Sequence, residues 1–457
     1  MGNDVVKNQT DGYTFIVIHI VLEKASINGS ATYSVEKIAA LCGMVWFVCI
    51  IDACFTWFWP WNIRKVFGAV FVIYATLLLN KNGRLDTSEK KLRLIGFLLI
   101  FIFFLVVIKF YYLVAPATFI PLICLVLWDT QTLSRVYTYL KRFVVFYTIL
   151  SLCVEILVIS GLWTFLPNIV LPPQDFVQEN VGVINHFYGL FVIPEESESL
   201  SFFTFYRIMG PLREGGHFSI FIGFIYFAEK TIYDKRNYWL LIGGLLTLSP
   251  NFIAFFLVTE AYCAIIKKRI IKFVFLIPVF ALLVVLLVLY SPQFIQDEII
   301  RIVLERNLER NIQSAESEGF MALLEGRTNF IGYEMYRSFE KSEDVFIKLF
   351  GMTAVKEGYV MSDFRYLIFL YGYVGFLLYV LCSFKIAFIG VGKLFCFCLF
   401  LLAIYVIISR AWMFEQPYIW VMMFLAANAK YMNDMYVGEN DINTLNLNGR
   451  VVEEKDC

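Results

Sequence analysis

The feature that most constrains this chain is a recurrence of apolar stretches along nearly its whole length. Twelve can be read, at 38–59, 65–79, 94–113, 115–128, 143–163, 217–229, 237–248, 251–266, 273–290, 363–383, 394–409 and 417–429. A straight helix needs about 20 apolar residues to cross a bilayer core. Several stretches are shorter, so their helices must extend into the neighbouring turns. The segment 13–22 is too short to cross and fits an interfacial position. Of the 457 residues, 60% are hydrophobic and only 17% charged, and 47 Phe exceed what an ordinary soluble core holds. The expected fold is therefore an all-α polytopic membrane protein with about 12 transmembrane helices. All of 1–457 forms one integral membrane domain, with no tandem repeat and no separate soluble domain.

Lys and Arg in the short loops set the orientation. Lys81, Arg84, Lys90, Lys91 and Arg93 occupy 80–93, and Arg135, Lys141 and Arg142 occupy 129–142. Lys230, Lys235 and Arg236 form a third cluster, and Lys267, Lys268, Arg269 and Lys272 a fourth. With twelve spans all four fall on one side together with both termini, and that side is the cytoplasm. Arg64 and Lys65 are the main exception on the other side. The segment 237–266 could be one helix kinked at Ser249-Pro250. A single span would put its two flanking basic clusters on opposite sides, so the charges favour two.

Two long outer loops follow, at 164–216 and 291–362. The first is net acidic, and the second is richer in both signs. Within the second, 294–312 has the period of an amphipathic helix, with Ile295, Ile299, Ile302 and Val303 on one face. Such a helix fits the membrane surface or the cap of the bundle. Residues 1–12 lack a basic n-region, so no cleavable signal peptide is read. Nine of the ten cysteines lie in or at the ends of apolar stretches, and the tenth is Cys457. They read as packing residues, not disulfides.

The sequence also excludes functions. Basic and acidic residues balance at 38 each, without a basic block, so nucleic acid is not an expected partner. The three histidines, His19, His186 and His217, form no zinc pattern, and no phosphate loop ending in Lys-Ser/Thr occurs.

What remains is charge on the outer face. Arg207, Arg213, Glu214 and His217 fall within eleven positions, among Gly210, Gly215 and Gly216. Glycines free backbone amides for anion contacts, Arg forks onto phosphate, and a carboxylate can take a proton. A solvated turn with an Arg–Glu pair is the plainer reading. Glu325, Gly326, Arg327, Glu334 and Arg337 form a second cluster, which also suits a surface helix with paired charges. Asp363 could cap the helix it precedes, act chemically, or both. Arg410 and Glu415 read as interfacial anchors. Lys109 can snorkel. Glu155 and Glu260 are intramembrane carboxylates without a nameable partner. His186 reads as a loop histidine.

The order of these features resembles the O-antigen polymerase (Wzy-type) family, within the group that includes O-antigen ligases. Arg207-x-x-Gly210-x-x-x-Glu214-x-Gly216 resembles the family's R-x-x-G-x-x-x-E-P-G pattern, with Gly215 in place of Pro. Leu246-Thr247-Leu248-Ser249 resembles its LTLS segment, and Gly326-Arg327 its Gly-Arg. Gly351, Asp363, Gly372 and Gly375 are similar to the glycine-rich run that re-enters the membrane. The resemblance implies a multi-pass enzyme of the bacterial inner membrane with its active site facing the periplasm. Such an enzyme joins undecaprenyl-pyrophosphate-linked repeat units during lipopolysaccharide biosynthesis. Its donor and acceptor are both lipid-linked glycans, a chain-length regulator is a possible partner, and no metal or cofactor is needed. On this resemblance Arg207 and Arg327 hold pyrophosphate with Arg213 in support, and Glu214, Asp363 or His217 is the base. The alternatives are a ligase of the same group, in which outer-loop histidine is usual, and a lipid-oligosaccharide flippase. A flippase would spread charge through its spans and often repeat its halves.

Overall fold

The computed structural model describes residues 35–51, 53, 56, 59–108, 114–160, 162, 169–171, 184–187, 192–195, 210–212, 215–247, 249–271, 274, 290, 330–352, 361 and 363–433. The expected segments at 13–22, 294–312 and most of 273–290 lie outside them.

The described chain is predominantly helical. Helices α1 (Val35–Ile50), α2 (Trp61–Lys81), α3 (Glu89–Phe103, continued by a π turn Phe104–Ile108), α4 (Val114–Val126) and α5 (Thr130–Ile159) come first. After the first long loop follow α6 (Gly215–Tyr233), α7 (Tyr238–Leu246) and α8 (Pro250–Ile266). Two short helices of the second loop, α9 (Phe330–Lys341) and α10 (Val345–Phe350), precede α11 (Phe364–Ala387) and α12 (Lys393–Arg410). A 3-10 turn (Ala411–Glu415) leads into α13, residues 418–433. Eleven of the twelve apolar stretches thus coincide with described helices. The first long loop also carries a small antiparallel sheet, Ile169–Leu171, Ile184–Phe187 and Val192–Glu195, in sequential order. His186 lies on its middle strand, not in an irregular loop.

Three segments, Asn62–Lys81, Phe364–Ala387 and Lys393–Phe414, are long and apolar enough to cross a membrane. The exposed surface agrees. On α2, Ile63, Val66, Val70, Ile73 and Leu77 recur every three to four residues, and all are exposed. Such a stripe would be a liability in water and is the expected face toward lipid. The chain is a membrane protein. At its centre stands α6, buried without a break from Gly215 to Lys230. Phe221 meets Phe47 and Tyr418, Phe224 meets Phe255, and Phe227 stacks on Phe395, so α1, α8, α12 and α13 all pack on α6. Gly223 lets α8 approach closely, since a methyl there would sit 2.5 Å from Phe255 Cγ.

Ion pairs tie the four basic clusters to one end. Glu36, in the first turn of α1, pairs with Arg84 beyond α2 and, at 2.6 Å, with Arg135 on α5. Lys141 on α5 meets Glu229 near the end of α6 at 2.9 Å. Asp234, just past α6, meets Lys230 at 3.2 Å and Lys267, just past α8, at 2.6 Å. Asn433 at the end of α13 donates to the Ile232 carbonyl at 3.2 Å. We call this the basic end.

The ends of α6 and α8 meet at Asp234–Lys267. Their starts meet where Asn251 Nδ2 donates to the Gly216 carbonyl at 3.1 Å. The two helices are therefore parallel, and α7 returns between them. The segment 237–266 is two helices of opposite direction, separated where Ser249 caps α8 and Pro250 occupies its first turn.

Candidate functional site

The starts of α6, α8 and α11 and the end of α12 gather at the end opposite the basic one. The turn into α6 passes through Gly210 at φ +60°, with Phe218 packed so closely that a methyl at Gly210 would sit 2.7 Å from its ring. Arg207, Arg213 and Glu214 lie outside the described residues, as do Glu325, Gly326 and Arg327. His217 is described. It is buried, and its ring meets Trp412 edge-on at 4.4 Å.

A polar cluster surrounds Gly216. Its carbonyl accepts from Asn251 Nδ2 and, at 2.7 Å, from Ser219 Oγ. Asn251 Oδ1 in turn accepts from the Tyr405 hydroxyl at 3.1 Å. Arg410 reaches across from α12, and a methyl added at Gly216 would sit 2.6 Å from its Nη2. The glycine is thus explained by the guanidinium that rests on it. Arg410 is only 5% exposed. The chain turns out of helical geometry there, at φ −152° and ψ 52°, which carries the side chain toward α6.

Asp363 caps α11 through a bond from the Arg365 amide at 2.9 Å, so its capping role is present. Its oxygens also take Arg365 Nε at 3.0 Å and Nη2 at 2.7 Å, in a buried bidentate pair. Arg365 in turn lies 5.8 Å from the Tyr336 ring centre on α9. Burial raises the Tyr336 hydroxyl above its usual range, and the nearby Glu340 adds to this. Glu334 and Arg337 pair at 3.9 Å on an exposed face of α9, as a surface helix would have them.

The glycine run has a backbone reason. Gly351 (φ +78°) and Gly372 (φ +66°) lie back to back, and Met352 N donates to the Phe369 carbonyl at 2.9 Å. A methyl at Gly372 would meet Leu349 O at 2.3 Å, and one at Gly351 would meet Leu370 O at 2.4 Å. This contact welds the end of the second loop onto α11, and Gly372 breaks that helix into two pieces.

Sequence reasoning undervalued three cations. Arg410, read as an interfacial anchor, is buried at the motif glycine. Arg64 and Lys65, read as exceptions to the charge rule, are buried in the first turn of α2 at this same end, with Arg64 Nη1 donating to Thr56 Oγ1 at 2.6 Å. The available signal was position: each stands at the mouth of an apolar stretch. Glu260, in contrast, acquires partners at the other end, in the Tyr226 hydroxyl (3.1 Å) and Arg236 (3.5 Å). Lys109 lies outside the described residues, and the side chain of Glu415 is not among those described. Among the described residues no three His, Cys, Asp or Glu side chains gather to hold a metal ion. No known protein family, curated protein or solved structure matches the chain.

Proposed function

We propose that the protein is an O-antigen polymerase of the bacterial inner membrane. In this reading the eleven described helical segments and residues 273–290 make twelve crossings. The basic end faces the cytoplasm, by the preference of Lys and Arg for that side. The Gly216 end and both long loops face the periplasm.

One observation carries the reading. Four described members of the motifs are scattered over more than 150 positions: Gly216, Ser249 and Asp363 stand at helix starts and Gly210 in the turn before α6, all on the end away from the basic loops. Transfer of a glycan from a lipid diphosphate needs cations and a proton acceptor at one membrane face. The acceptor hydroxyl attacks the anomeric carbon of the growing chain. The bond from that carbon to the diphosphate oxygen breaks, and undecaprenyl diphosphate leaves with the electron pair. Arg207 and Arg327, supported by Arg213, stabilise the charge developing on the leaving diphosphate. Glu214 takes the hydroxyl proton. Asp363, with both oxygens engaged by Arg365, positions that arginine and the start of α11. His217, packed on Trp412, supports the turn that carries Glu214.

The test uses purified protein in lipid discs with an undecaprenyl-diphosphate-linked repeat unit. Wild-type protein extends the chain and releases undecaprenyl diphosphate. Arg207→Ala and Arg327→Ala variants insert normally and do not extend it. Normal extension by both variants contradicts the assignment.

A further inference from the structure

We propose that Asn251 is a positioning residue for the transfer: its amide holds the first turn of α6, and with it the preceding Glu214, against α8 and α12. The inference rests on the proposed function, in which Glu214 takes the proton. It adds to that reading an uncharged residue of α8, outside both long loops.

Three observations carry it. First, Asn251 is buried, and both ends of its amide are used. A carbonyl only accepts, so the NH2 group must face Gly216, and the amide oxygen is left for the Tyr405 hydroxyl. Leucine matches the side chain in size but meets neither demand, and a carboxylate would set oxygen against oxygen. Second, the local sequence aims this side chain. Ser249 caps α8 by accepting from the Asn251 amide at 3.3 Å, and Pro250 fills a first-turn position where a missing N–H costs nothing. Third, the bonded atom belongs to the motif. Gly216 is two positions from Glu214, so their Cα atoms lie no more than about 7 Å apart, and whatever fixes Gly216 limits where the carboxylate can be. Ser219 Oγ binds the same carbonyl from within α6, whereas Asn251 reaches it from α8, 35 positions away, and is itself held by Tyr405 of α12. A reacting group displaced by about 1 Å loses on the order of a hundredfold in rate.

The experiment measures, for purified protein in lipid discs, the rate of chain extension per molecule of bound undecaprenyl-diphosphate-linked repeat unit. A loss of folded protein does not change that ratio, because misfolded molecules bind no donor. Asn251→Leu lowers the ratio by about tenfold or more. Tyr405→Phe removes only the outer bond and lowers it by about two- to fivefold. Tyr226→Phe removes the bond from α6 to Glu260 of α8 at the basic end, and leaves the ratio as in wild type. An unchanged ratio in Asn251→Leu overturns the inference. So does an equal fall in Tyr226→Phe, since the packing of α6 on α8 would then explain the loss. Should Asn251→Leu fail to fold, Tyr405→Phe decides, and a wild-type ratio there overturns the inference. Wild-type protein that extends no lipid-linked repeat unit overturns the proposed function itself, and this inference with it.

Discussion

Replacing Gly372 by alanine tests the weld between the second loop and α11. Gly372 sits at φ +66° and ψ −176°, a region that only glycine occupies without strain, and the backbone term is about 1–3 kcal/mol. The new methyl would lie 2.3 Å from Leu349 O and 2.4 Å from Leu349 C. These are backbone atoms, which cannot rotate aside as a side chain would. Overpacking of this kind adds about 1–3 kcal/mol, so the substitution costs about 2–6 kcal/mol in all. Two other glycines calibrate it. Gly83 shares the positive φ, at +64°, but a methyl there meets nothing within 4 Å, so Gly83→Ala carries a backbone term of about 1–2 kcal/mol alone. Gly96 is helical and also open, and Gly96→Ala should stabilise by about 0.5–1 kcal/mol. The assay is the temperature at which detergent-solubilised protein loses its monodisperse elution peak. The expected order is Gly96→Ala above wild type, then Gly83→Ala, then Gly372→Ala. Equal losses for Gly83→Ala and Gly372→Ala would refute the argument, because the α10–α11 contact would then carry no constraint.

Two further outcomes follow from the basic end. The bonds from Lys267, with Lys230 adding to them, hold the Asp234 carboxyl below its ordinary 3.8, although its slight burial works the other way. A depressed carboxyl stabilises the fold above its unfolded value, and that contribution is lost as pH falls through the folded one. The thermal stability advantage of wild type over Asp234→Asn should therefore hold at pH 7 and shrink below about pH 4; an advantage that grows on acidification would contradict the pairing. Glu36→Gln leaves Arg84 and Arg135 without their shared buried carboxylate, at a cost of about 1–3 kcal/mol. Measured by the same elution assay, that gap should narrow in high salt, because both arginines are partly exposed. A variant as stable as wild type in low salt would sink the assignment.

Helix positions were legible because a helix in an apolar setting must be apolar along its length. Eleven stretches marked eleven helices, and the four basic loops marked one end. Ser249-Pro250 even signalled its helix boundary, through a cap and a residue suited to a first turn. Other features were hidden for physical reasons. Helix α5 begins at Thr130, thirteen residues before its apolar stretch, because its polar first turns are held by the ion pairs of Glu36 and Glu229. The small sheet of the first loop has strands of three and four residues, too short for an alternating pattern to declare itself. Gly372 stood out by resemblance alone, and the reason for a glycine there was hidden, since its constraint comes from Leu349, 23 positions away. Arg410 showed its charge but not its depth, because burial depends on how α6 and α12 cross.

The central claim is most directly tested by lipopolysaccharide gels from a bacterial strain lacking this gene. The account predicts that a ladder of O-antigen lengths collapses to core bearing a single repeat unit, and that the ladder returns with the wild-type gene but not with Arg207→Ala. Core without any repeat would point to ligation or flipping instead. An unchanged ladder would contradict the account.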